Sequence, residues 1–477
     1  MTDDLFDPRL TEHRNPRTAA IDRATPLEIV DLIAVEDGTV PAAVHAEREN
    51  IARAMELAVE SFRRGGRLIY VGAGTSGRLG VLDATECPPT FGVDPELVQG
   101  VIAGGYAALV RSQEGAEDRP EDGAADIDDR EVGSKDFVFG IATSSTTPYV
   151  RGALARASER GAHTGFLCCT EPGDEMRRWV DVCIVPLVGP EVIAGSTRMK
   201  AGTATKLVLN TITTGAMIRL GKVYGNLMVD LQAMSEKLID RSRRIVMAAT
   251  GCGADEAAGL VEEAGGSVKT AIVMGLAGIG RELAELGLSE AAGFVSVALD
   301  TAEAERSGDS PYAPYPAAPP DPEALEHLQA LLRQLPGRLA GLVADAEDAK
   351  LRRRPRDGAW CVKEHIEHLI DCDRLVALRL KAMVERDDPV IADRDDEREN
   401  RKVADTAARE TPVSELLRRL DDGRGSLARR LETAPLETFA RVGRHEAHGS
   451  ITVYQLLRHV VRHDDHHLQA IRRLLAD

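Results

Sequence analysis

The chain lacks long apolar stretches. No run of 18 apolar residues occurs, and the first sixteen residues, MTDDLFDPRLTEHRNP, contain no apolar core. A membrane span needs about 20 apolar residues and a signal peptide a shorter apolar core, so neither is expected. The seven cysteines form no C-x-x-C pair, which favours reduced thiols over a disulfide framework. These absences predict a cytoplasmic protein without a membrane partner.

Positive charge is also in deficit. The 59 Lys and Arg against 77 Asp and Glu give a net charge of −18. This excess of negative charge disfavours nucleic acid and anionic membranes as partners. Small anionic ligands stay open, because a local basic cluster can oppose the sign of the whole molecule. The length of 477 residues predicts two or three domains.

A proline-rich segment divides the chain. Residues 307–322, SGDSPYAPYPAAPPDP, carry six prolines in their last twelve positions. Proline disfavours helix interiors and central strands, so this segment predicts a stiff, extended linker. Nine of the twelve histidines follow residue 323, and that part reads as helices throughout. The two sides of the segment are therefore expected to differ in fold.

Before this segment, short apolar runs alternate with helix-compatible stretches. The runs are RLIYVGAG (67–74), VQGVIAGG (98–105), DFVFGIATSS (136–145), HTGFLCCT (163–170) and VDVCIVPLV (180–188). Near-continuous apolar strands with helical crossovers predict an α/β fold with a doubly wound parallel sheet, covered by helices on both faces. Ligands of such sheets bind at the carboxyl ends of the strands.

Three hydroxyl-rich loops follow predicted strands. In LIYVGAGTSGRLG (68–80) the glycines have G-x-G-x-x-G spacing, but a dinucleotide site needs an acidic residue after the next strand, where the chain has IAGG. Thr75 and Ser76 place hydroxyls beside free amides of a helix N-terminus, which suits a single phosphate. The other loops are TSSTTP (143–148) and GSTRMKAGT (195–203). Together they predict a sugar-phosphate cradle; the alternative is three tight turns without a ligand.

Longer motifs carry a family resemblance. GAGTSGRLGVLDATECPPTFG (72–92), EGAED (114–118) and GPEVIAGSTRMKAGTATKLVLNTITTGAMIRLGKVYGNLMVD (189–230) resemble the N-acetylmuramic acid 6-phosphate etherase family, over roughly residues 9–300. The resemblance implies a sugar isomerase (SIS) domain with a helical tail, and a homodimer whose active-site parts cross the interface. It also implies conversion of that sugar phosphate to N-acetylglucosamine 6-phosphate and D-lactate in cell-wall recycling. A non-catalytic sugar-phosphate sensor, similar to glucokinase regulatory proteins, is the alternative.

The implied chemistry is elimination followed by addition of water. The ether bond at C3 is β to the aldehyde carbon of the open-chain sugar, so removal of the C2 proton lets lactate leave. A base and an acid suffice, without a metal or redox cofactor. The resemblance assigns Glu86 to the lactyl oxygen and the incoming water, and Glu117 to the C2 proton. Each could otherwise be an ordinary surface or capping carboxylate.

Loop chemistry and resemblance together predict the substrate contacts. These are Gly74, Thr75, Ser76, Gly77, Ser144, Ser145, Ser196, Thr197, Arg198 and Lys200. One of the two cations is expected at the phosphate or at the lactyl carboxylate. The chain departs from the family at Ser145, where the family has a glycine that permits positive φ. Serine there is expected to strain the loop or narrow the pocket.

The C-terminal histidines have metal-ligand spacing. His463 and His467 in HVVRHDDHHLQAIRR (459–473) are one helical turn apart, and His368 lies on a different predicted helix. Two such histidines and a third from a facing helix make a three-nitrogen site with open positions. A solvated histidine-rich face is the alternative, most of all for His365, His459 and His466.

This pattern resembles the DinB-like (YfiT-like) four-helix bundle. Trp360 lies eight residues before His368, as in that family. The resemblance implies a divalent metal, Zn²⁺ or Ni²⁺, and leaves open a thiol transferase-like or a structural role. The expected regions are an etherase-type SIS domain (1–247), its helical tail (248–306), the proline-rich linker (307–322) and the DinB-like all-α bundle (323–477).

Overall fold

A computed structural model describes residues 9–230, 236–307, 311–319, 321–355, 359–392 and 407–476. The chain forms two compact units, Met1–Gln232 and Ala233–Asp477. Within the described ranges, no helix has both the length and the apolar character that crossing a bilayer requires.

The first unit alternates helices and strands. Its strands are β1 (Leu68–Gly72), β2 (Val98–Ile102), β3 (Phe137–Ile141), β4 (His163–Leu167), β5 (Val182–Ile184), β6 (Val223–Tyr224) and β7 (Leu227–Met228). Its helices are α1 (Pro26–Asp37), α2 (Val40–Ala46), α3 (Arg48–Arg63), α4 (Gly74–Phe91), α5 (Ala107–Val110), α6 (Pro120–Asp129), α7 (Pro148–Glu159), α8 (Asp174–Trp179) and α9 (Lys200–Arg219). Short 3₁₀ turns include Leu10–Glu12 and Ala116–Asp118.

The first five strands form one parallel sheet in the order β2-β1-β3-β4-β5. Leu68 and Tyr70 pack into one apolar cluster together with residues of α3 and α9. Ile69 and Val71 point the other way, into a cluster with residues of α7. Both faces of the sheet are therefore buried, which confirms the predicted doubly wound α/β fold.

The strand order brings three strand ends together. β1 lies between β2 and β3, and Gly72 is level with Ile102 on one side and Ile141 on the other. Because all three strands are parallel, the loops that follow them emerge at the same edge of the sheet. This carboxyl edge is where the sequence predicts the sugar-phosphate cradle.

The second unit is mostly helical. It contains α10 (Glu236–Thr250), α11 (Ala254–Glu263), α12 (Val268–Ala277), α13 (Arg281–Glu290), α14 (Val295–Ser307), α15 (Pro322–Val343), α16 (Asp348–Leu351), α17 (Val362–Glu385), α18 (Val413–Glu432) and α19 (Val453–Ala476). The four long helices α15, α17, α18 and α19 bury a shared core of leucine, isoleucine and valine. They correspond to the four predicted helices of the bundle.

The expectation that the chain is helical throughout after residue 323 is wrong in one place. β9 (Val442–His445) and β10 (Gly449–Thr452) form an antiparallel hairpin, and β8 (Val390–Ile391) adds a parallel strand. Burial alternates along β9, with Gly443 and His445 buried and Val442 and Arg444 not. This period of two, rather than a helical period, is typical of a strand.

The helical tail and the bundle pack together within the second unit. Arg458 of α19 and Glu290 of α13 form an ion pair at 2.8 Å, with side chains only 3% and 5% exposed. The Arg458 guanidinium also contacts Glu305 of α14 at 3.8 Å. Asp465 of α19 accepts a hydrogen bond from the Gly280 amide, at the start of α13, at 3.2 Å.

The proline-rich segment contributes to this packing. Tyr312 and Tyr315 are buried, and the Arg458 guanidinium lies 4.8 Å from the centre of the Tyr315 ring. Gln455 donates a hydrogen bond to the Tyr315 carbonyl at 3.0 Å. The described part of this segment, residues 311–319, is thus held against α19 by specific contacts.

Candidate functional site

The loop after β1 is shaped by close backbone contacts. A Cβ atom on Gly77 would lie 2.6 Å from Ile102 Cγ1 and 2.8 Å from the Gly72 oxygen, so only glycine fits there. Gly74 has φ +53° and starts α4. The amides of Thr75 and Ser76 lie in the first turn of α4, where backbone N–H groups have no partner within the helix. This turn has the polarity and the donors that a phosphate needs.

The structure brings the three predicted loops to one edge. A Cβ atom on Gly202 would lie 3.7 Å from Thr75 Cγ2 and 3.6 Å from the Thr197 oxygen, so the first and third loops meet there. Ser144, in the second loop, follows β3, the neighbour of β1, and its hydroxyl lies 3.2 Å from that of Thr146. Ser196 belongs to the same third loop and is half-buried. The predicted hydroxyls therefore share the carboxyl edge of the sheet.

The two predicted cations differ sharply in environment. The Lys200 side chain is 1% exposed, and its ammonium lies 2.7 Å from a carboxylate oxygen of Glu36, which is equally buried. Hydrogen bonds from Arg17 and from Lys200 lower the pKa of Glu36 to about 2. Lys200 is therefore engaged in a buried ion pair, whereas Arg198 is exposed. Of the two, Arg198 has the environment of a substrate-facing cation.

The N-terminus of α9 already has an anionic partner. Buried Glu191 accepts hydrogen bonds from the amides of Lys200 at 3.0 Å and Ala201 at 2.9 Å. A carboxylate in this position satisfies the amides that a phosphate would otherwise bind. Among the loops of the predicted cradle, the start of α4 is thus better suited to the phosphate than the start of α9.

Ser145 has the conformation that the missing glycine would favour. Its φ is +67°, in the left-handed region that costs an ordinary residue about 1–2 kcal/mol. Its amide donates to the Ala142 carbonyl at 2.8 Å, which closes the turn after β3. The loop therefore keeps a glycine-like backbone although serine occupies the position.

Replacing Ser145 by glycine should stabilise the first unit. The gain is expected to be about 0.5–1 kcal/mol, because relief of the left-handed strain exceeds the extra entropy of an unfolded glycine. Urea unfolding monitored by circular dichroism would measure it. Ser144→Gly is the matched control, since Ser144 is not among the residues with positive φ, and it should destabilise. A loss of stability in S145G would contradict the strain.

The two predicted catalytic carboxylates differ in position relative to the carboxyl edge of the sheet. Glu117 is exposed in the turn Ala116–Asp118, and a Cβ atom on Gly104, just after β2, would lie 3.4 Å from Ala116 Cβ. Glu117 is thus close to the carboxyl edge. Glu86 is exposed on α4, twelve residues after Gly74, which corresponds to about 18 Å along the helix axis. That distance exceeds the span of a hexose phosphate bound at the start of the same helix.

One basic residue at this edge was not predicted. Arg9 donates a hydrogen bond to the Thr146 hydroxyl at 3.0 Å. The segment after it is fixed across the edge, because the Leu10 amide donates to the Thr170 hydroxyl at 3.2 Å and the Gly195 amide to the Thr11 carbonyl at 3.0 Å. Arg9 and Thr146 are 137 residues apart in sequence, so local patterns carry no signal for this contact.

In the second unit, the three predicted metal ligands lie side by side. His368 Nε2 of α17 is 3.0 Å from His463 Nε2 of α19. His467 Nε2 lies 3.2 Å from the same His463 nitrogen. His365 contacts the other ring nitrogen of His467, with 2.8 Å between their Nδ1 atoms. Burial and the neighbouring imidazoles hold the pKa of His467 far below its usual range, which keeps it neutral and able to bind a metal.

Sequence reasoning missed a thiol in this group. Cys372 lies one turn after His368 on α17, with its sulfur 3.5 Å from His368 Nε2. Among the described residues, His368, Cys372 and His463 form the one group of potential ligands whose donor atoms all lie within 4.8 Å of one another. The spacing H-x-x-x-C, which places both donors on one helix face, was the available signal.

The donor distances fit a tetrahedral ion. Nitrogens bound to Zn²⁺ at about 2.0–2.1 Å stand about 3.3 Å apart, and a nitrogen and a thiolate sulfur about 3.6 Å. The distances of 3.0 Å between His368 and His463 and 3.5 Å between His368 and Cys372 are close to these values. The residues present therefore suit a metal with nitrogen and sulfur ligands.

Comparison with known proteins agrees with both parts of the chain. A family model for the glucokinase regulatory protein N-terminal SIS domain matches residues 50–158, and one for the DinB superfamily matches residues 331–471. YfiT from Bacillus subtilis, described as a probable metal-dependent hydrolase with an unusual four-helix bundle topology, is 25% identical with a TM-score of 0.30, covering 32% of this chain and 87% of its own.

The strongest similarity lies in the first three fifths of the chain. An N-acetylmuramic acid 6-phosphate etherase from Salinibacter ruber is 53% identical over 290 residues, which is 61% of this chain and 93% of the relative. One from Thermosynechococcus vestitus is 54% identical over 265 residues, or 56% of this chain and 86% of the relative. With more than half of the residues identical across nearly the full length of a relative, the chain belongs to the N-acetylmuramic acid 6-phosphate etherase family.

Proposed function

We propose that the chain cleaves the D-lactyl ether of N-acetylmuramic acid 6-phosphate, giving N-acetylglucosamine 6-phosphate and D-lactate. This proposal rests on the similarity to the Salinibacter ruber etherase. The two sequences are 53% identical over 290 residues, which cover 93% of that enzyme. A cytoplasmic role in amino-sugar recycling is part of the proposal and accords with the seven free cysteines.

In the proposed mechanism the phosphate binds at the start of α4, beside Thr75 and Ser76. Glu117 removes the C2 proton, the C3–O bond breaks, and Glu86 protonates the departing lactate. Water then adds at C3 of the unsaturated aldehyde, with Glu86 taking its proton, and Glu117 returns a proton to C2. The balance is one water consumed and one lactate released, with the two carboxylates restored.

The proposal includes a homodimer in which Glu86 serves the partner's phosphate site. The support is geometric, since Glu86 lies about 18 Å along α4 from the amides at its own start. Glu117, by contrast, lies near the carboxyl edge of its own sheet, next to Gly104. One active site would then combine Glu117 and the phosphate loops of one subunit with Glu86 of the other.

Mixing two inactive variants tests this arrangement. E86Q and E117Q chains, unfolded together and refolded in equal amounts, should recover about a quarter of the wild-type activity. Half of the dimers are then mixed, and each mixed dimer has one site with both carboxylates. A mixture that stays inactive, while size-exclusion chromatography finds mixed dimers, would place both carboxylates in one chain and contradict the shared site.

The first assay of the function itself is D-lactate release from N-acetylmuramic acid 6-phosphate by the full chain, with and without a chelator. Release that is unaffected by the chelator is expected, because elimination and hydration need only proton transfer. Binding of the sugar phosphate without release would instead indicate a sensor.

For the second unit we propose a zinc site held by His368, His463 and Cys372, with the predicted ligand His467 as a further donor, its Nε2 3.2 Å from that of His463. The mixed nitrogen and sulfur donors and their near-tetrahedral spacing favour Zn²⁺ over Ni²⁺. When bound, such an ion would lower the pKa of a coordinated thiol or water.

Replacing His463 by alanine should empty this site. His463 contacts both His368 and His467, so its loss removes the central donor of the group. Zinc content of the purified chain, measured by mass spectrometry, should fall at least tenfold. His466→Ala is the matched control, because His466 is exposed on the same helix, and it should keep its zinc. Full occupancy in H463A would refute the ligand assignment.

A further inference from the structure

A cavity of about 600 Å³ opens beside the metal-ligand group in the second unit. Its volume lies in the range of sites that hold small metabolites, about 300–1,000 Å³. His368, Cys372 and His463 form one side. Arg379, His445, His448 and His459 line the same cavity, and we call these four residues the basic wall. None of the described residues that line the cavity is an aspartate or a glutamate.

The basic wall is held as one cluster by aromatic contacts. The Tyr312 ring, from the proline-rich segment, lies 4.9 Å from the His459 ring and 5.5 Å from those of His445 and His448, measured between centres. The His445 and His448 rings are 4.8 Å apart. These ring contacts hold the imidazoles of His445, His448 and His459 together where they line the cavity, so this part of the basic wall is ordered without a ligand.

Arg379 supplies the permanent positive charge. One of its terminal nitrogens donates to the Ala392 carbonyl at 2.7 Å. Among the described residues, no carboxylate forms an ion pair with Arg379, and its half-buried side chain lines the cavity. A guanidinium forms strong, often bidentate hydrogen bonds with carboxylates and phosphates. In a chain with net charge −18, a cavity lined by one guanidinium and several imidazoles, with no carboxylate among the described lining residues, favours an anionic ligand.

We propose that this cavity binds a small organic oxyanion, a carboxylate or a phosphate monoester, through Arg379 and the histidines of the basic wall. The rest of the ligand then extends toward the metal-ligand group, which lines the same cavity. The site is separate from the sugar-phosphate cradle and does not depend on the etherase activity.

Trp360 offers a direct readout. It lines the cavity, and its ring is 4.7 Å from that of His368. The chain has two tryptophans, so Trp179→Phe leaves Trp360 as the only indole. Metal-free W179F chain is titrated with D-lactate, as the carboxylate probe, and with N-acetylglucosamine 6-phosphate, as the phosphate probe. A saturable change in fluorescence with at least one probe is expected, and the probe that binds identifies the anion class.

Variants then assign the binding to Arg379. Arg379→Gln in the W179F background should weaken binding at least tenfold, the usual loss for a charged hydrogen-bond donor. Arg379→Lys, which keeps the charge, should bind more tightly than the glutamine variant. Arg374→Gln is the matched control on the same helix, where Arg374 is exposed and pairs with Asp371, and it should bind as W179F does. No saturation with either probe, or equal affinity in R379Q, would overturn the proposal.

Discussion

Glutamine in place of Glu86 or Glu117 is expected to lower the rate of D-lactate release by about 10²–10⁴-fold. That is the usual contribution of one general acid or base. Glutamine keeps the shape of the side chain but cannot accept or deliver the proton. Both residues are exposed, so neither substitution should affect folding. Coupled lactate dehydrogenase assays would measure the rate, and calorimetry the binding of the sugar phosphate.

The two variants should differ in solvent exchange. E86Q retains Glu117, so exchange of the C2 proton with deuterium from the solvent should persist although lactate is not released. E117Q should lose both reactions. Glu114→Gln is the matched control in the same exposed segment and should keep near wild-type turnover. Unchanged turnover in either catalytic variant would remove that residue from the mechanism.

Replacing Arg424 by methionine is expected to destabilise the second unit by about 3–5 kcal/mol. Arg424 is 1% exposed in the bundle core, and it donates to Asp373 at 3.0 Å and to Asp464 at 2.7 Å. Burial raises the pKa of Asp373 to about 6, although the guanidinium opposes that shift. Methionine would leave two buried carboxylates without a cation, and this is the origin of the large loss.

The same substitution should weaken metal binding. Asp373 follows Cys372 on α17 and Asp464 follows His463 on α19, so Arg424 clamps the two helices directly behind the candidate ligands. In R424M, the affinity for zinc and the thermal unfolding temperature of the full chain should both decrease. Arg418 lies on the exposed face of α18, the helix that also carries Arg424. Arg418→Met is therefore the control, and it should change the free energy of unfolding by less than about 1 kcal/mol. Equal stability of R424M and R418M would contradict a structural role for the buried group of Arg424, Asp373 and Asp464.

The sheet could be predicted from the sequence because its central strands, β1 and β3, are buried on both faces and are therefore continuously apolar. The apolar runs at 67–74 and 136–145 contain β1 and β3 nearly centred within them. Local chemistry also pointed to the loops, because hydroxyl groups and helix N-terminal amides that follow several parallel strands suit a phosphate. The resemblance supplied the candidate catalytic carboxylates, Glu86 and Glu117, which neither burial nor periodicity distinguishes from other surface glutamates.

Contacts between distant segments could not be read in the same way. The ion pair of Lys200 with Glu36 joins residues 164 positions apart, and nothing near Lys200 in sequence indicates its burial. Cys372 was overlooked although its spacing to His368 is local, because a lone cysteine on an amphipathic helix is usually a core residue. Composition indicated a linker at 307–322, but it carried no information on the partners of Tyr312 and Tyr315.

The buried contacts of Arg458 bear on how such a fusion can be taken apart. The relatives are matched almost completely by 290 residues of this chain, which suggests that a gene ending before the proline-rich segment would encode a working enzyme. In this chain, however, α19 supplies the counter-ions of two buried tail carboxylates: Arg458 pairs with Glu290, and Arg458 and Arg462 pair with Glu305. A fragment ending at residue 306 would lack α19, so both carboxylates would lose their counter-ions. They would then have to become exposed to water or be replaced by neutral residues. Without the bundle, the helical tail of this chain is therefore expected to be less stable than it is in the full chain.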